Sequence, residues 1–285
     1  MKQMKKPQKI SENMQNQLDF IHELVEFGKT KLNLEFGDSF SEYSEEHTIC
    51  NWLYVCYPDK FQSALPNSSE FLFFWKEEEA KKQQKIFNEK GFHTYLYQAE
   101  GHGGENCPIT DGLINATKAR QAYVVLHEGW HITVRHKSYK MSYPFEESSG
   151  RALGLVGAIL FALEKNDKQL HLECCNQLQA WKLMSAYINQ YRAKLKYGLL
   201  FSGEQKQQLL FDEINTAAQK VVKEMPESWE RHELNRQINF AFILRNYSYT
   251  KYFEKAMTNI EDCGSLTAAM KKWSKKHASR FGVES

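Results

Sequence analysis

Two histidines and a glutamate in the segment VLHEGWHITV have the types and the spacing of a metal site. His127 and His131 are four residues apart, and Glu128 directly follows the first of them. On an α-helix, residues i and i+4 share a face, so both imidazoles can reach one ion at about 2.0–2.1 Å. Glu128 then lies beside the open coordination position, where a carboxylate can take a proton from water and deliver it to a leaving amine. This HExxH pattern predicts a zinc site with Glu128 as general base, in place of a coincidental pair of core histidines.

A third ligand is expected on the next helix, because catalytic zinc sites use three protein ligands. Pro144 suits the start of that helix, and Glu147 follows closely. Small residues recur along the same face, namely Gly150, Gly154 and Ala158, with Gly157 close by. Glycine inside a helix costs about 1 kcal/mol relative to alanine, so this stripe indicates a close approach of two helices. Glu147 is the predicted ligand. Glu146 competes with it, and stabilisation of Glu147 by the helix dipole is the alternative without a metal.

The rest of the chain supplies the elements that must hold these residues. Helical patterns cover 11–33, 76–90, 117–138, 144–165, 168–198, 203–224, 227–246 and 264–278, and strand patterns cover 51–57, 71–75 and 92–98. A glycine-rich loop spans 100–112. The sequence predicts a predominantly helical α+β fold, with a small mixed sheet and the loop in an N-terminal α/β subdomain, 1–116. A helical subdomain, 117–285, carries the metal residues, and the two form one catalytic unit with the site in the cleft between them.

Composition narrows the function classes. The chain has 285 residues, 42% hydrophobic and 25% charged, with a formal net charge of +2, so neither nucleic acid nor an acidic membrane surface is the expected main partner. No run approaches 18 apolar residues, and the basic N-terminus lacks the apolar core of a signal peptide. The six cysteines include the adjacent pair Cys174 and Cys175, which favours free thiols and a cytoplasmic location. The oligomeric state stays open.

The metal motif and its surroundings resemble a bacterial family of zinc-dependent aminopeptidases of the gluzincin type, whose pattern is HELAHQ followed by FNESFA. HEGWH followed by FEESSG matches it, with Phe145, Glu147, Ser148 and Gly150 in register. The stretches WLYVCYP, FLFFWKEEEA and EKGFHTYLY, and LNRQINFAFILRN near the C-terminus, extend the resemblance over roughly residues 15–276. It implies a zincin-like fold with one zinc ion per chain and a peptidase activity, aminopeptidase in the family's own label.

The same resemblance suggests further site residues. Tyr249 matches the family's tyrosine and is the first candidate to stabilise the oxyanion, with Tyr247 in reserve. Asn239 matches an Asn-Asn-Ala helix and is a candidate substrate contact. Gly103-Gly104-Glu105-Asn106 resembles the GxMEN motif of a larger gluzincin aminopeptidase family, so Glu105 is a candidate anchor for a substrate α-amine. An extended substrate would pair with a sheet edge, with the FLFFW strand as the candidate.

The chain departs from the family pattern at two places, which keep two rival functions open. Trp130 stands in HExxH where the family has small or aliphatic residues, and it must find room on the other face of the helix. The loop before the metal helix reads GHGGENCPITDG instead of the family's stretch. The rivals are a zinc hydrolase that acts on small molecules other than peptides, and a zinc-binding interaction protein without catalysis.

Overall fold

A computed structural model of the chain describes residues 11–59, 61–66, 69–101, 104, 106–198, 204–236 and 238–278. The chain is predominantly helical, with a small sheet. The helices are α1 (Glu12–Leu32), α2 (Glu77–Glu89), α3 (Asp111–Ile114), α4 (Lys118–His136), α5 (Tyr143–Glu164), α6 (Lys168–Gly198), α7 (Glu204–Glu224), α8 (Trp229–Leu234), α9 (Phe240–Thr250), α10 (Phe253–Cys263) and α11 (Leu266–Ala278). The strands are β1 (Tyr43–Ser44), β2 (Cys50–Cys56), β3 (Phe71–Phe74), β4 (His93–Ala99) and β5 (Ile109–Thr110).

The three predicted strands form one sheet in the order β3-β2-β4, and both pairings are antiparallel. The expectation of a mixed sheet is wrong for this unit. The one parallel pairing among the described residues joins β1 to β5 as a separate two-residue ladder. Because β2 is central, β3 and β4 form the edges of the sheet.

The sheet lies between helices. Side chains alternate across the strand, and Leu53 and Val55 of β2 join Leu65 in a small apolar cluster on the side covered by α2. Tyr54 and Cys56 of the same strand belong to the main core, on the side where α9 packs against β2 and β4. The sheet therefore presents one face to the helical part of the molecule.

Helix α4 is the central element of that helical part. It packs against α1, α5 and α6, and nearly all its residues are buried. Thr117 caps its N-terminus by accepting a hydrogen bond from the backbone N–H of Arg120, at 3.3 Å. The main core draws residues from both sides of position 117. The division into subdomains at residue 117 stays a prediction from the sequence, where strand patterns give way to successive helical patterns.

The predicted helix 227–246 is wrong as a single element. The chain forms α8 and α9, each begun by a side-chain cap, Ser228 and Asn239. Asn215 of α7 satisfies the backbone between them, accepting from the N–H of Ile238 at 2.9 Å and donating to its carbonyl at 3.2 Å. Helix α10 was not predicted at all.

The structure bears on the expected state of the cysteines and on membrane-spanning helices. All six cysteines are free thiols, as the sequence predicts. In the part of the chain that the structure describes, none of the helices has the length and apolarity needed to cross a membrane.

The glycines of α5 allow it to lie close to α4. A Cβ at Gly150 would lie 3.1 Å from Nδ1 of His127, and one at Gly154 would lie 2.8 Å from the backbone oxygen of Tyr123. At Gly157 the nearest atoms are flexible ends of leucine side chains, the closest 2.9 Å away on Leu126. The predicted close approach is confirmed.

Because their neighbours differ, Gly154 and Gly157 provide a matched pair of variants. Replacing either glycine with alanine gains about 1 kcal/mol of helix propensity. Gly154→Ala collides with backbone, so we expect a net loss of about 1–3 kcal/mol in the free energy of unfolding. Gly157→Ala meets side chains that can move and is expected to be neutral or stabilising. Urea unfolding of both variants measures the difference; equal stabilities would contradict the close contact at Gly154.

Candidate metal centre

Three buried side chains converge between α4 and α5. Nε2 of His127 and Nε2 of His131 are 3.1 Å apart. Oε2 of Glu147 lies 3.6 Å from the first nitrogen and 3.4 Å from the second. All three residues are buried, and the group could hold a metal ion. The two helices therefore bring together the three ligands predicted from the sequence.

The spacing of these atoms fits an ion of known size. In a tetrahedral site with bonds of about 2.0–2.1 Å, neighbouring ligand atoms are about 3.3–3.4 Å apart. The three observed separations of 3.1, 3.4 and 3.6 Å describe one face of such a tetrahedron. Oε2 of Glu147 is also buried and has no hydrogen-bond partner among the described residues. A bound cation would satisfy this oxygen.

Glu146, the competing ligand, has a different position. Its Oε1 lies 2.7 Å from Nδ1 of His131, the ring nitrogen that faces away from the ligand cluster. A carboxylate on the far nitrogen fixes the tautomer and orientation of a ligating imidazole and raises its basicity. Consecutive residues of α5 thus serve His131 in two ways, Glu147 beside the ligating nitrogen and Glu146 behind the ring.

Burial and the neighbouring carboxylates shift the pKa values of the two histidines in opposite directions. Burial lowers the pKa of His127 to about 4, with the contact to Glu147 acting against it. Burial also lowers the pKa of His131, but Glu147 and Glu146 outweigh it and hold that pKa well above its usual value. For Glu147 the cost of burial is outweighed by the two histidines, and its pKa is held below its ordinary range. The cluster thus keeps Glu147 ionised, the state in which a carboxylate can bind a cation.

Trp130 does not lie on the far face of α4, where it was expected. Its indole N–H donates to Oγ of Ser149 on α5 at 3.0 Å, and its ring packs edge-on against Trp273 of α11. Space for it comes from Gly150, where a Cβ would lie 3.0 Å from Cδ1 of the indole. The departure from the family pattern is therefore matched by glycine on the facing helix.

Glu128 lines a small cavity together with His127 and Tyr249. The cavity measures about 20 Å³, which is room for about one water molecule. Gly101 of the glycine-rich loop forms part of the wall, and a Cβ there would lie 3.2 Å from Cγ of Glu128. The loop therefore leaves the Glu128 side chain just enough room beside the ligand His127.

Tyr249 stacks on a ligand and is fixed by neighbouring contacts. Its ring centroid lies 6.1 Å from that of His127, with 28° between the planes. Ser148 Oγ donates to the carbonyl of Ser248 at 3.0 Å and accepts from the N–H of Tyr252 at 3.2 Å, which ties α5 to the end of α9. Burial, with Glu147 and Tyr143 adding to it, raises the pKa of Tyr249 well above 10. The hydroxyl keeps its proton and is available as a donor.

Asn239 and Glu105 were the two candidate substrate-binding residues. Asn239 caps α9 by accepting from the N–H of Phe242 at 3.0 Å, and its Nδ2 donates to the carbonyl of Thr94 in β4 at 2.8 Å. Its amide is thus engaged in joining α9 to the sheet. Glu105 lies outside the described residues. Tyr247, the reserve for Tyr249, lies under the guanidinium of Arg192 at 4.0 Å.

Several residues around the cavity were not predicted from the sequence as site residues. Arg120 and Arg151 line it, with Trp52, Tyr97, Glu100, Tyr123 and Val124. Arg151 follows Glu147 by four residues, so its position on the ligand face of α5 was readable from the sequence. The places of Arg120 and Glu100 depend on tertiary structure, where Nε of Arg120 donates to Oε2 of Glu100 at 2.9 Å.

The chain was compared with protein-family models, curated proteins and solved structures. None of the three comparisons gives a match. The likeness to zinc aminopeptidases therefore rests on motifs such as HEGWH and FEESSG, and the function is inferred from the geometry of the site.

The contact between Glu146 and His131 predicts an effect on metal affinity. Glu146→Ala leaves the three ligands in place but frees the ring of His131, and we expect metal to bind about 10–100-fold more weakly. Glu164→Ala is the control, because Glu164 is on the same helix and pairs with Lys31 near the surface, at 3.1 Å. Competition with a chelator measures both affinities, and equal values for the two variants would exclude an orienting role.

Proposed function

We propose that the protein is a zinc-dependent hydrolase of peptide bonds, in which Glu128 is the general base. The observation that carries this proposal is the tetrahedral spacing of His127, His131 and Glu147, next to a water-sized cavity lined by Glu128. Zinc is the ion of choice because two imidazoles, one carboxylate and an open fourth position are the ligand set of catalytic zinc sites. The fit of the residues supports one zinc ion per chain.

The chemistry divides between the ion and the side chains. Zinc held by His127, His131 and Glu147 would lower the pKa of a bound water toward about 7 and polarise a carbonyl. Glu128 accepts the proton of the attacking water and delivers it to the leaving amine, as its place in the cavity beside His127 allows. The protonated hydroxyl of Tyr249 donates to the developing oxyanion.

The resemblance favours an aminopeptidase, and the sheet offers a surface for an extended chain. β3 is an edge strand, and Glu70 directly precedes it. Burial raises the pKa of Glu70, and the negative charge of Glu147 adds to this effect. Phe71 stacks on Trp52 of the cavity wall at 5.0 Å. A peptide added along β3 would thus be directed toward the site.

Metal content with and without the ligands tests the proposal first. We expect about one zinc per chain by elemental analysis of protein purified without added metal, and a loss of zinc in His131→Ala. Glu128→Gln should keep its zinc, because Glu128 is not a ligand, and lose about 10²–10⁴-fold in turnover of peptides.

The outcomes of this experiment separate the rival functions. Zinc binding without any turnover that depends on Glu128 would favour a binding protein without catalysis. Turnover of non-peptide esters or amides alone would favour the hydrolase of small molecules. If the protein takes up no transition metal even when zinc is added, the proposed function is wrong.

The role of Tyr249 is tested by removing only its hydroxyl. Tyr249→Phe should lower kcat by about 10²–10³-fold, the usual effect of losing an oxyanion donor, with little change in KM or in zinc content. Tyr247→Phe is the matched control on the same helix, since Tyr247 packs under Arg192. A similar small effect in both variants would assign Tyr249 to packing alone.

A further inference from the structure

The cavity beside Glu128 is too small to hold a peptide. It measures about 20 Å³, so it has room for the attacking water, and a peptide substrate must lie on a surface outside it. Trp52 of β2 is one of the wall residues of this cavity. The surface that continues outward from Trp52 is therefore the candidate surface for substrate contacts.

The sheet face that is turned toward the helical part carries aromatic side chains on all three strands. Paired residues of antiparallel strands have their side chains on the same face, and Trp52 pairs with Phe73 of β3 and with Tyr97 of β4. Phe71 lies on this face as well, two residues before Phe73, and it stacks on Trp52 with 5.0 Å between the ring centres. We call Trp52, Phe71, Phe73 and Trp75 the aromatic shelf.

The aromatic shelf becomes exposed toward the edge of the sheet. Helix α9 packs against β2 and β4, whereas Phe73 of β3 is 42% exposed and Trp75, directly after β3, is 73% exposed. The rings of Phe73 and Trp75 contact each other edge to face, with 4.7 Å between their centres. Large apolar side chains that are exposed next to each other mark an interaction site. The outer part of the shelf is therefore a surface on which apolar groups can bind.

Two features of β3 favour a peptide as the partner of this surface. In the part of the chain that the structure describes, β3 pairs with β2 on one side and with no strand on the other, so its outer edge can pair with an extended backbone. Phe71–Trp75 contains no charged residue, which favours apolar side chains in the bound peptide. The shelf is also continuous with the cavity that holds Glu128, because Trp52 belongs to both.

The spacing along an extended peptide decides which of its side chains meet the shelf. Alternate side chains of a strand lie on the same face, about 6.6–6.8 Å apart. Phe73 and Trp75 are likewise two residues apart, and both rings are exposed. Two apolar side chains of the peptide, separated by one residue, can therefore contact the shelf together.

We propose that the aromatic shelf selects peptides with large apolar or aromatic side chains at alternate positions. The inference rests on the proposed function and names its substrate class. The backbone of the peptide pairs with the outer edge of β3, and two of its side chains contact Phe73 and Trp75. Past Phe71 and Trp52 the peptide reaches the metal centre, where the scissile bond meets the water held beside Glu128.

Isomeric peptides test this spacing on the wild-type protein. Two hexapeptides of four alanines and two phenylalanines have the phenylalanines either separated by one alanine or adjacent. We expect the zinc-loaded enzyme to hydrolyse the separated isomer at least about 10-fold better in kcat/KM, because only this isomer places both rings on the shelf.

Variants of the shelf show whether it causes the preference. Trp75→Ala should reduce the preference below about 3-fold without loss of zinc, and Trp75→Phe, which keeps an aromatic ring, should retain it. Leu209→Ala is the control, because Leu209 is a large apolar residue of α7 with similar exposure, 68%. An equal loss of preference in Trp75→Ala and Leu209→Ala would overturn the inference.

A binding measurement separates this inference from the proposed function. Calorimetric titration of the zinc-loaded Glu128→Gln protein should give a Kd at least about 10-fold lower for the separated isomer, and Trp75→Ala or Phe73→Ala in that background should abolish the difference. Equal Kd values, together with hydrolysis of both isomers at equal Glu128-dependent rates, would overturn the role of the shelf and leave the peptidase standing. Binding that depends on Trp75, without hydrolysis that depends on Glu128, would keep the shelf as a peptide-binding surface and overturn the peptidase.

A second copy of this chain is the competing partner, because an exposed edge strand can pair with another copy of itself. Sedimentation of the wild type without peptide tests this alternative. A monomer agrees with a shelf that is open to substrate. A dimer that Trp75→Ala converts to monomers would assign the shelf to self-association and overturn the inference.

Discussion

The close packing of α4 against α5 is the constraint on which the rest of the site depends. The two histidines lie on one helix and Glu147 on the other, and their ligand atoms come within 3.4–3.6 Å of each other across the interface. A side chain at Gly150 or Gly154 would occupy the space that His127 and the backbone of Tyr123 now fill. The helix pair thus gives up the higher helix propensity of alanine to obtain the short distance a shared ion requires.

The contact between α4 and α5 also positions the side chains around the predicted ligands. Glu146 reaches the outer nitrogen of His131 because it precedes Glu147 at the start of α5. Ser148, which follows Glu147, joins α5 to the junction of α9 and α10 and so fixes Tyr249 beside the ligands. Three consecutive residues of α5 therefore complete the predicted ligand cluster, hold the ring of His131 and fix the position of Tyr249. A shift of the helix along its axis would disturb all three functions together.

Those parts of the site that follow from local periodicity could be predicted from the sequence. The spacing of His127 and His131 and the glycine stripe of α5 are properties of single helices, and the structure agrees with both. The break between α8 and α9 was missed because its backbone groups are satisfied by Asn215 of another helix. The place of Arg120 was missed for the same reason, because its partner Glu100 comes from another part of the chain; Arg151, four residues after Glu147, could have been placed on the same face of α5.

Some of the buried polar atoms without a hydrogen-bond partner among the described residues lie at the ligand cluster and along the adjoining cavity. Sequences normally agree with their fold at every level, and local conflicts concentrate at functional positions. Here Glu147, Arg120 and Arg151 each combine burial with an unpaired polar atom, and all lie at the ligand cluster or along the adjoining cavity. Unpaired buried groups cost about 1–3 kcal/mol each, more for charged ones. A cation held by the carboxylate of Glu147 would remove this cost at the predicted ligand cluster.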